Sequence, residues 1–499
     1  MRGFYSLFII ERMAGRLNLA ATGIQGRWLT DDPTYSHFLM NFRRHTKFSF
    51  EGMRIPFERF DEFGNIATCR IPQKSGDLLK NVMLKITLPP PRLDPITFTL
   101  VNYQIDGEAE VDLYQGVTYT FLGGASSDII SRTPNGNTEY MYPHTPTMIS
   151  RDGNDITFTV PYIEPPTPNN PEDAVPYTLY YIDQNSELIV LNIKSLRWDK
   201  SIATKIIKHI DLNIGGQLIQ RLTGEFIWMY NQLHSSKEDI DYSVGPLTSH
   251  SKYPIITRKD FEFKVNIPFY FYRHPRLSIP VCALTKQQIE IKLETQPASG
   301  LVVDYNRSTG VATSPPSGVK TSIKDISLLN DFGFILDDEK NFLMTRPLEY
   351  LASQLQLAEF KLEPGESSKS VMINFKNPVK ELFFVAKTED DDFQKIKNVN
   401  LKFNNQTVID SDNLMLAYEQ PLRHHTGSID VDNEFGIYSF ALKPESSEPT
   451  GHVNMSRIAH KLLNIELESP DATKSHTVRI YAMNYNILYI YGGIAGLKF

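Results

Sequence analysis

Only two cysteines, Cys69 and Cys282, occur among 499 residues, and they lie 213 positions apart. Two thiols build neither a disulfide framework nor a cysteine-based zinc site, and a reducing place of synthesis is the simpler reading. No stretch approaches the roughly 18 consecutive apolar residues of a membrane-spanning helix. The apolar start, residues 1–10, is interrupted by Glu11 and Arg12 and lacks the layout of a secretory signal, while Met13-Ala14-Gly15 offers a more ordinary beginning. The expectation is a soluble chain without an address label. Basic charge is scarce as well: 51 Lys+Arg face 58 Asp+Glu, a formal net charge of −7. A sequence-unspecific nucleic-acid binder needs a basic surface, so no direct nucleic-acid partner is expected.

Catalytic constellations are missing too. There is no G-x-S-x-G, H-E-x-x-H or P-loop. His424-His425 is a tempting pair, but neighbours on a strand point to opposite faces, and no His, Cys or carboxylate set stands at ligand spacing nearby. It reads as a loop or subunit contact. The acidic run Glu389-Asp390-Asp391-Asp392 lacks the alternating spacing and closing Glu of a calcium loop, and reads as a solvated loop. Gly492-Gly493-Ile494-Ala495-Gly496 resembles a phosphate loop only superficially, with no Lys-Ser/Thr after it and too little chain left for a helix. The Asn-x-Ser/Thr triplets at Asn306, Asn405 and Asn454 are glycan acceptors only in a secreted protein. The expectation is no enzyme, no catalytic, cofactor or metal residue, and no cofactor.

What is present is strand. Phe261, Phe263, Val265 and Ile267 alternate with polar residues, as do Val371, Ile373 and Phe375; Val399, Leu401 and Phe403; and Ile210, Leu212 and Ile214. Turn chemistry separates the runs: Gly215-Gly216, Asn404-Asn405, Pro364-Gly365 and Pro134-Asn135-Gly136. Two helices are predicted. One spans 223–233, with Phe226, Ile227, Tyr230 and Leu233 at helical spacing behind a Thr223 cap. The other runs from about Asp338 to Gln356, broken near Pro347. Many short strands with minor helices point to an all-β fold of sandwiches.

Composition divides the chain. Residues 297–322, rich in Gly, Pro, Ser and Thr, read as a linker. Residues 98–192 carry thirteen acids against Arg132 and Arg151, a net charge of −11, and nine of the 31 prolines. Strand-like runs persist there, at Val117, Tyr119 and Phe121, at Ile156, Phe158 and Val160, and at Tyr177, Leu179 and Tyr181. The segment reads as an inserted, solvent-facing β module, and the other 404 residues sum to +4.

These residues carry a family resemblance. Leu17-Asn18-Leu19, Thr22-Gly23-Ile24-Gln25, Trp28-Leu29-Thr30 and Phe42-Arg43-Arg44-His45-Thr46-Lys47-Phe48 are similar to the opening block of the major capsid proteins of large eukaryotic double-stranded DNA viruses, the double jelly-roll capsid family. Ile214-Gly215-Gly216-Gln217, followed by Gly224, Trp228 and Asn231-Gln232-Leu233, resembles that family's mid-domain turn and helix. Ile267-Pro268-Phe269 and Phe271-Tyr272-Arg273-His274-Pro275, then Ile279-Pro280, resemble the closing strands of its first roll. In the second half, Asn374-Phe375-Lys376-Asn377-Pro378, Tyr438-Ser439-Phe440-Ala441-Leu442-Lys443-Pro444-Glu445, Asn454-Met455-Ser456-Arg457-Ile458 and Arg479-Ile480-Tyr481-Ala482-Met483-Asn484-Tyr485 continue the likeness in order.

The resemblance implies two tandem eight-stranded jelly-roll β-sandwiches: an arm 1–43, a first roll 44–296 with the insertion 98–192, the linker 297–322 and a second roll 323–499. Without its 95-residue insertion the first roll keeps 158 residues, against 177 for the second, as a duplicated sandwich requires. It further implies a homotrimeric, pseudo-hexagonal capsomer of a virion shell, assembled in the host cytoplasm. The implied partners are neighbouring capsomers and minor and penton proteins. A lower-copy paralogue of the main shell protein fits the same motifs. The insertion loosely resembles a cupredoxin-like sandwich. Its one His, His144, two Met and absent Cys do not make a copper site. It reads either as a surface toward host glycans or as a solubilising cap. The arm carries Arg12, Arg16, Arg27, Arg43 and Arg44 and reads equally as a strap beneath capsomers or a strand on its own roll.

Overall fold

A computed structural model describes residues 19–21, 23–34, 36–38, 42–58, 62–89, 91–93, 96–100, 130–132, 148–152, 155–160, 178–182, 188–192, 196–199, 201–234, 260–306, 311–313, 319–389, 391–427 and 434–499. The start at residues 1–13, Arg12, Arg16, the Val117–Phe121 alternation, the Pro134-Asn135-Gly136 turn and His144 lie outside the described residues. Strands are numbered β1–β30 and helices α1–α5 along the chain.

Two antiparallel sandwiches dominate. In the first, one sheet has the order β1 (Phe48–Pro56), β20 (Asp325–Ile335), β3 (Leu78–Leu88), β14 (Phe261–Asn266), with β15 (Ile279–Pro280) also on β3. Its companion has the order β13 (Gln217–Thr223), β12 (Ile207–Ile214), β16 (Ile289–Thr295), β2 (Ile66–Ile71). Strict alternation explains the arrangement: on β16, Ile289, Ile291, Leu293 and Thr295 are buried and the residues between them are half-exposed.

In the second sandwich, β21 (Leu348–Leu362), β29 (His476–Tyr491), β23 (Pro378–Thr388) and β26 (Phe435–Ser439) form one sheet, with β27 (Val453–Asn454) on β23 and β30 (Ile494–Leu497) on β29. The other sheet has the order β22 (Ser368–Met372), β28 (Lys461–Leu467), β24 (Ile396–Phe403), β25 (Gln406–Asp412).

The acidic segment contributes two three-stranded antiparallel sheets, β5 (Ile96–Leu100), β8 (Asp155–Val160), β7 (Met148–Asp152), and β10 (Leu188–Asn192), β9 (Thr178–Ile182), β6 (Ile130–Arg132). The remaining strands are β11 (Leu196–Trp198), β17 (Val302–Asn306) and β18 (Val311–Thr313) in one small sheet, and β19 (Val319–Lys320) beside β4 (Arg92–Leu93). The helices are short: α1 (Ile24–Thr30), α2 (Ile202–Lys205), α3 (Gly224–His234), α4 (Asp337–Thr345) and α5 (Gln420–His424). Residues 1–47 form a unit of their own, in which α1 buries no side chain and leaves Trp28 and Leu29 in solvent.

Three expectations change. The helix read over Asp338–Gln356 ends at Thr345, and the chain after Pro347 is β21, whose fifteen residues pair in continuous register with β29, from Leu348 opposite Ile490 to Leu362 opposite His476. Leu, Ala, Gln and Glu favour helix by only tenths of a kcal/mol each, and a full-length strand partner outweighs that. Residues 325–335, expected at the start of the second roll after the 297–322 linker, are β20 and pair with β1 and β3 of the first. The linker stretch 297–322 holds β17, β18 and β19 in spite of its turn-rich composition.

Candidate functional site at the seam of the two sandwiches

β23 and β29 have apolar residues on both faces, the pattern of strands covered on both sides. On one face Leu382, Phe384 and Ala386 of β23 and Val478, Ile480 and Ala482 of β29 enter the core of the second sandwich. On the other face Phe383, Val385, Tyr481 and Met483 join the core of the first. The two sandwiches therefore share a sheet wall.

The first sandwich fills this seam with α3. Thr223 Oγ1 accepts the Phe226 N–H at 3.2 Å, the predicted cap. Nearly the whole helix is buried, including Phe226, Ile227, Trp228, Met229 and Leu233. Phe226 meets Phe383 edge-on, with ring centroids 5.2 Å apart, and Trp228 stacks on Phe393 at 4.8 Å. Gly224 permits the close approach, because a Cβ there would lie 2.2 Å from both the Ile207 and Thr204 carbonyl oxygens. Gly427 does the same at the other end: its N–H donates to Leu233 O at 2.8 Å, and a Cβ would lie 2.4 Å from that oxygen.

Charged groups ring this apolar contact. Glu225 of α3 accepts from Tyr481 Oη at 2.6 Å and pairs with Lys387 at 3.1 Å and Arg479 at 3.3 Å. Burial, then the Glu225 carboxylate, pushes the Tyr481 phenol far up. Lys205 of α2 bonds Asp199 and reaches across to Asp391 at 2.6 Å. Burial alone would raise the Asp391 carboxyl, but Lys387 and Lys205 outweigh it and hold it at about 2.

A second polar cluster sits at the C-terminus of α3. His425 is buried, with Nε2 2.6 Å from Glu381 Oε1 and Nδ1 3.3 Å from Glu445 Oε1. His234, also buried, has Nδ1 2.8 Å from Tyr230 O and Nε2 3.5 Å from Glu445 Oε1. Thr426 donates its N–H to the same Oε1 at 3.0 Å and its hydroxyl to Oε2 at 3.1 Å. Burial opposes charge on His425, yet Glu381 and Glu445 lift its pKa to about 9. Burial, then the charge of His425, drives His234 down to about 3. Lys380 is buried beside them and donates to Pro444 O at 2.8 Å. A cavity of about 50 Å³ opens onto His234, His425, Glu445 and Lys380.

The sequence motifs fall on both sides of this picture. His424 and His425 do diverge, but from the end of α5 and not from a strand: His424 is half-exposed near Leu442 O, while His425 turns inward. The carboxylates and second histidine around His425 come from positions 44, 20 and 191 residues away, which local spacing cannot reveal. The acidic run contributes Asp391 to the seam, and Glu389 accepts from Ser475 Oγ at 3.1 Å. Gly492 and Gly493, at φ 63° and 87°, form the turn between β29 and β30. Asn405 lies in the β24–β25 turn at φ 70°, and Asn454 Oδ1 accepts the Ser456 N–H at 3.1 Å. Burial, then Glu58, pushes the Cys69 thiol up to about 12, so it is inert as a nucleophile.

Two family models match the chain in succession: "Major capsid protein N-terminus" over residues 147–336 and "Large eukaryotic DNA virus major capsid protein" over 339–496. The division falls just after β20. The chain is 24% identical to the major capsid protein of Pyramimonas orientalis virus across 97% of its own length and 99% of the relative's. It is 26% identical to that of Paramecium bursaria Chlorella virus 1 across 60% of this chain and 79% of the other. In structure it is similar to the subunit of the PBCV-1 virus capsid, with a TM-score of 0.61, 17% identity and coverage of 93% and 100%. It is also similar to the Faustovirus major capsid protein, with a TM-score of 0.59, 11% identity and coverage of 94% of each chain. The shared architecture is the double jelly roll.

Proposed function

The chain belongs to the major capsid protein family of the large eukaryotic DNA viruses, and on that premise we propose that three copies associate into a pseudo-hexagonal capsomer. The protein is a structural component of the virion, a subunit of the icosahedral shell, and not an enzyme. The observation that supports the trimer reading is the seam. Two sandwiches of like build, each of two antiparallel sheets, are joined through the shared wall of β23 and β29 and the buried α3. Three such subunits bring six sandwiches together, a number that suits a hexagonal array, and closed three-fold association is a common symmetry for one repeated surface.

A rigid seam matters for this role. A tile whose two halves swivelled would present a different edge to each neighbour, whereas an interface packed like a domain core transmits one shape. The further partners proposed are neighbouring capsomers and the minor and penton proteins at shell vertices. The acidic 98–192 module, net −11, is proposed as the outward projection, where like charge keeps particles apart in solution. Mass photometry of the purified chain tests the assembly. A species of about 171 kDa, three times the 57.0 kDa chain, is expected. A 57.0 kDa monomer persisting at high concentration overturns the capsomer reading.

A further inference from the structure

We propose that His234, His425 and Glu445 bind one divalent cation of the zinc class, which staples the first sandwich to the second. The ligand atoms of these three residues lie within 4.8 Å of one another. Two of the separations are already close to the edge of a zinc tetrahedron: His234 Nε2 to Glu445 Oε1 is 3.5 Å, and His425 Nδ1 to the same oxygen is 3.3 Å. Metal–ligand bonds of roughly 2.0–2.1 Å in tetrahedral geometry place ligands about 3.3 Å apart.

The hydrogen bonds on the far side of each ring fix which nitrogen faces the centre. His234 Nδ1 lies 2.8 Å from Tyr230 O, and a carbonyl only accepts, so Nδ1 carries the proton and Nε2 presents a lone pair. His425 Nε2 lies 2.6 Å from Glu381 Oε1, so the proton of the neutral ring sits there and Nδ1 presents its lone pair. A carbonyl behind one histidine and a carboxylate behind the other are the outer partners that orient metal-bound imidazoles. Once a cation displaces the Nδ1 proton of His425, that nitrogen, His234 Nε2 and Glu445 Oε1 offer three donor atoms within 4.8 Å of one another. A proton on His425 Nδ1 satisfies that ring and Glu445 but leaves His234 Nε2, on a nine-tenths buried side chain, facing a carboxylate oxygen with nothing between them. A cation satisfies all three at once.

Two imidazoles and one carboxylate suit zinc better than magnesium or calcium, which prefer all-oxygen shells. The adjoining cavity of about 50 Å³ has room for a water as fourth ligand. Lys380 does not fill the centre: its Nζ is turned to Pro444 O and lies 5.5 Å from the centre of the Tyr485 ring. His234 belongs to α3 of the first sandwich, and His425 and Glu445 belong to the second. A bound ion therefore adds a side-chain link between the two beside the backbone bond from Gly427 N–H to Leu233 O.

The test is elemental analysis of the full-length chain purified without chelator, followed by removal of metal and titration with Zn²⁺, Co²⁺ and Mg²⁺. Expected are one zinc per chain, a fall in unfolding temperature on removal, recovery with Zn²⁺ but not Mg²⁺, and the visible absorption of tetrahedral Co²⁺. His234→Gln and Glu445→Gln are each expected to weaken Zn²⁺ binding at least tenfold. Should either variant fail to fold, the Co²⁺ spectrum and Zn²⁺-dependent unfolding temperature of the unaltered chain decide alone. Less than one zinc per ten chains with no Zn²⁺-dependent shift overturns the proposal, as does binding of unchanged strength in folded His234→Gln.

Discussion

β23 faces two interiors, and they are built differently. On the side of the second sandwich it presents Leu382, Phe384 and Ala386 to a core made of aliphatic, aromatic and thioether side chains. On the seam side it presents Phe383 and Val385 between two charges, Glu381 at one end and Lys387 at the other. β29 repeats the division, with Val478, Ile480 and Ala482 inward and Arg479 beside Tyr481 toward the seam. The cluster in the second sandwich is apolar, while the seam adds ion pairs and histidines to its apolar contacts. Burying charge is costly unless every partner is present, so a seam of this kind admits one register of the two sandwiches and penalises others. A shell tile needs that uniqueness more than extra stability.

Substitutions on the two faces should separate these contributions. Phe384→Ala is expected to have the largest effect, a loss of about 3–5 kcal/mol in chemical denaturation. The loss should be the same at low and high salt, because Phe384 packs in the apolar core of the second sandwich. Glu225→Gln, on the seam, should cost about 3 kcal/mol. That is the lower end for a broken buried pair, since Arg479 keeps Glu359 and Lys387 keeps Asp391. Denaturation of the variant in parallel with the parent chain measures it, and a cost below 0.5 kcal/mol would show that the seam charges do not fix the packing.

Acid should act on the seam and spare the core. The Asp391 carboxyl is depressed in the folded chain from 3.8 to about 2. Its contribution is therefore fully present above the ordinary carboxylate value and is lost as pH falls from about 4 toward 2. Urea midpoints measured through that range should fall, and Asp391→Asn should flatten the fall. The smallest effect is expected at the exposed pair of Arg423, on α5, and Glu419, just before it, 2.8 Å apart. Arg423→Ala should change stability by no more than about 0.5 kcal/mol, which sets the baseline for charges outside the seam.

Much of the fold was legible in the sequence because it rests on local alternation. Ile210, Leu212 and Ile214 became β12, and the Asn404-Asn405 turn took the left-handed backbone, φ 46° and 70°, of a tight hairpin. β21 was not legible, because its Leu, Ala, Gln and Glu prefer helix and only the distant β29 overrides them. The seam was half legible: α3 and its Thr223 cap follow from spacing, and the burial of both faces of β23 is written in Leu382-Phe383-Phe384-Val385-Ala386. The cluster around His425 was not legible. Its members sit on α3, β23, the end of α5 and the loop after β26, and no periodicity links them.

A shared wall makes the two sandwiches one body. Differential scanning calorimetry of the full-length chain tests it most directly. One cooperative transition is expected, with equal calorimetric and van't Hoff enthalpies per cooperative unit. Two resolved transitions, one for each sandwich, would contradict it.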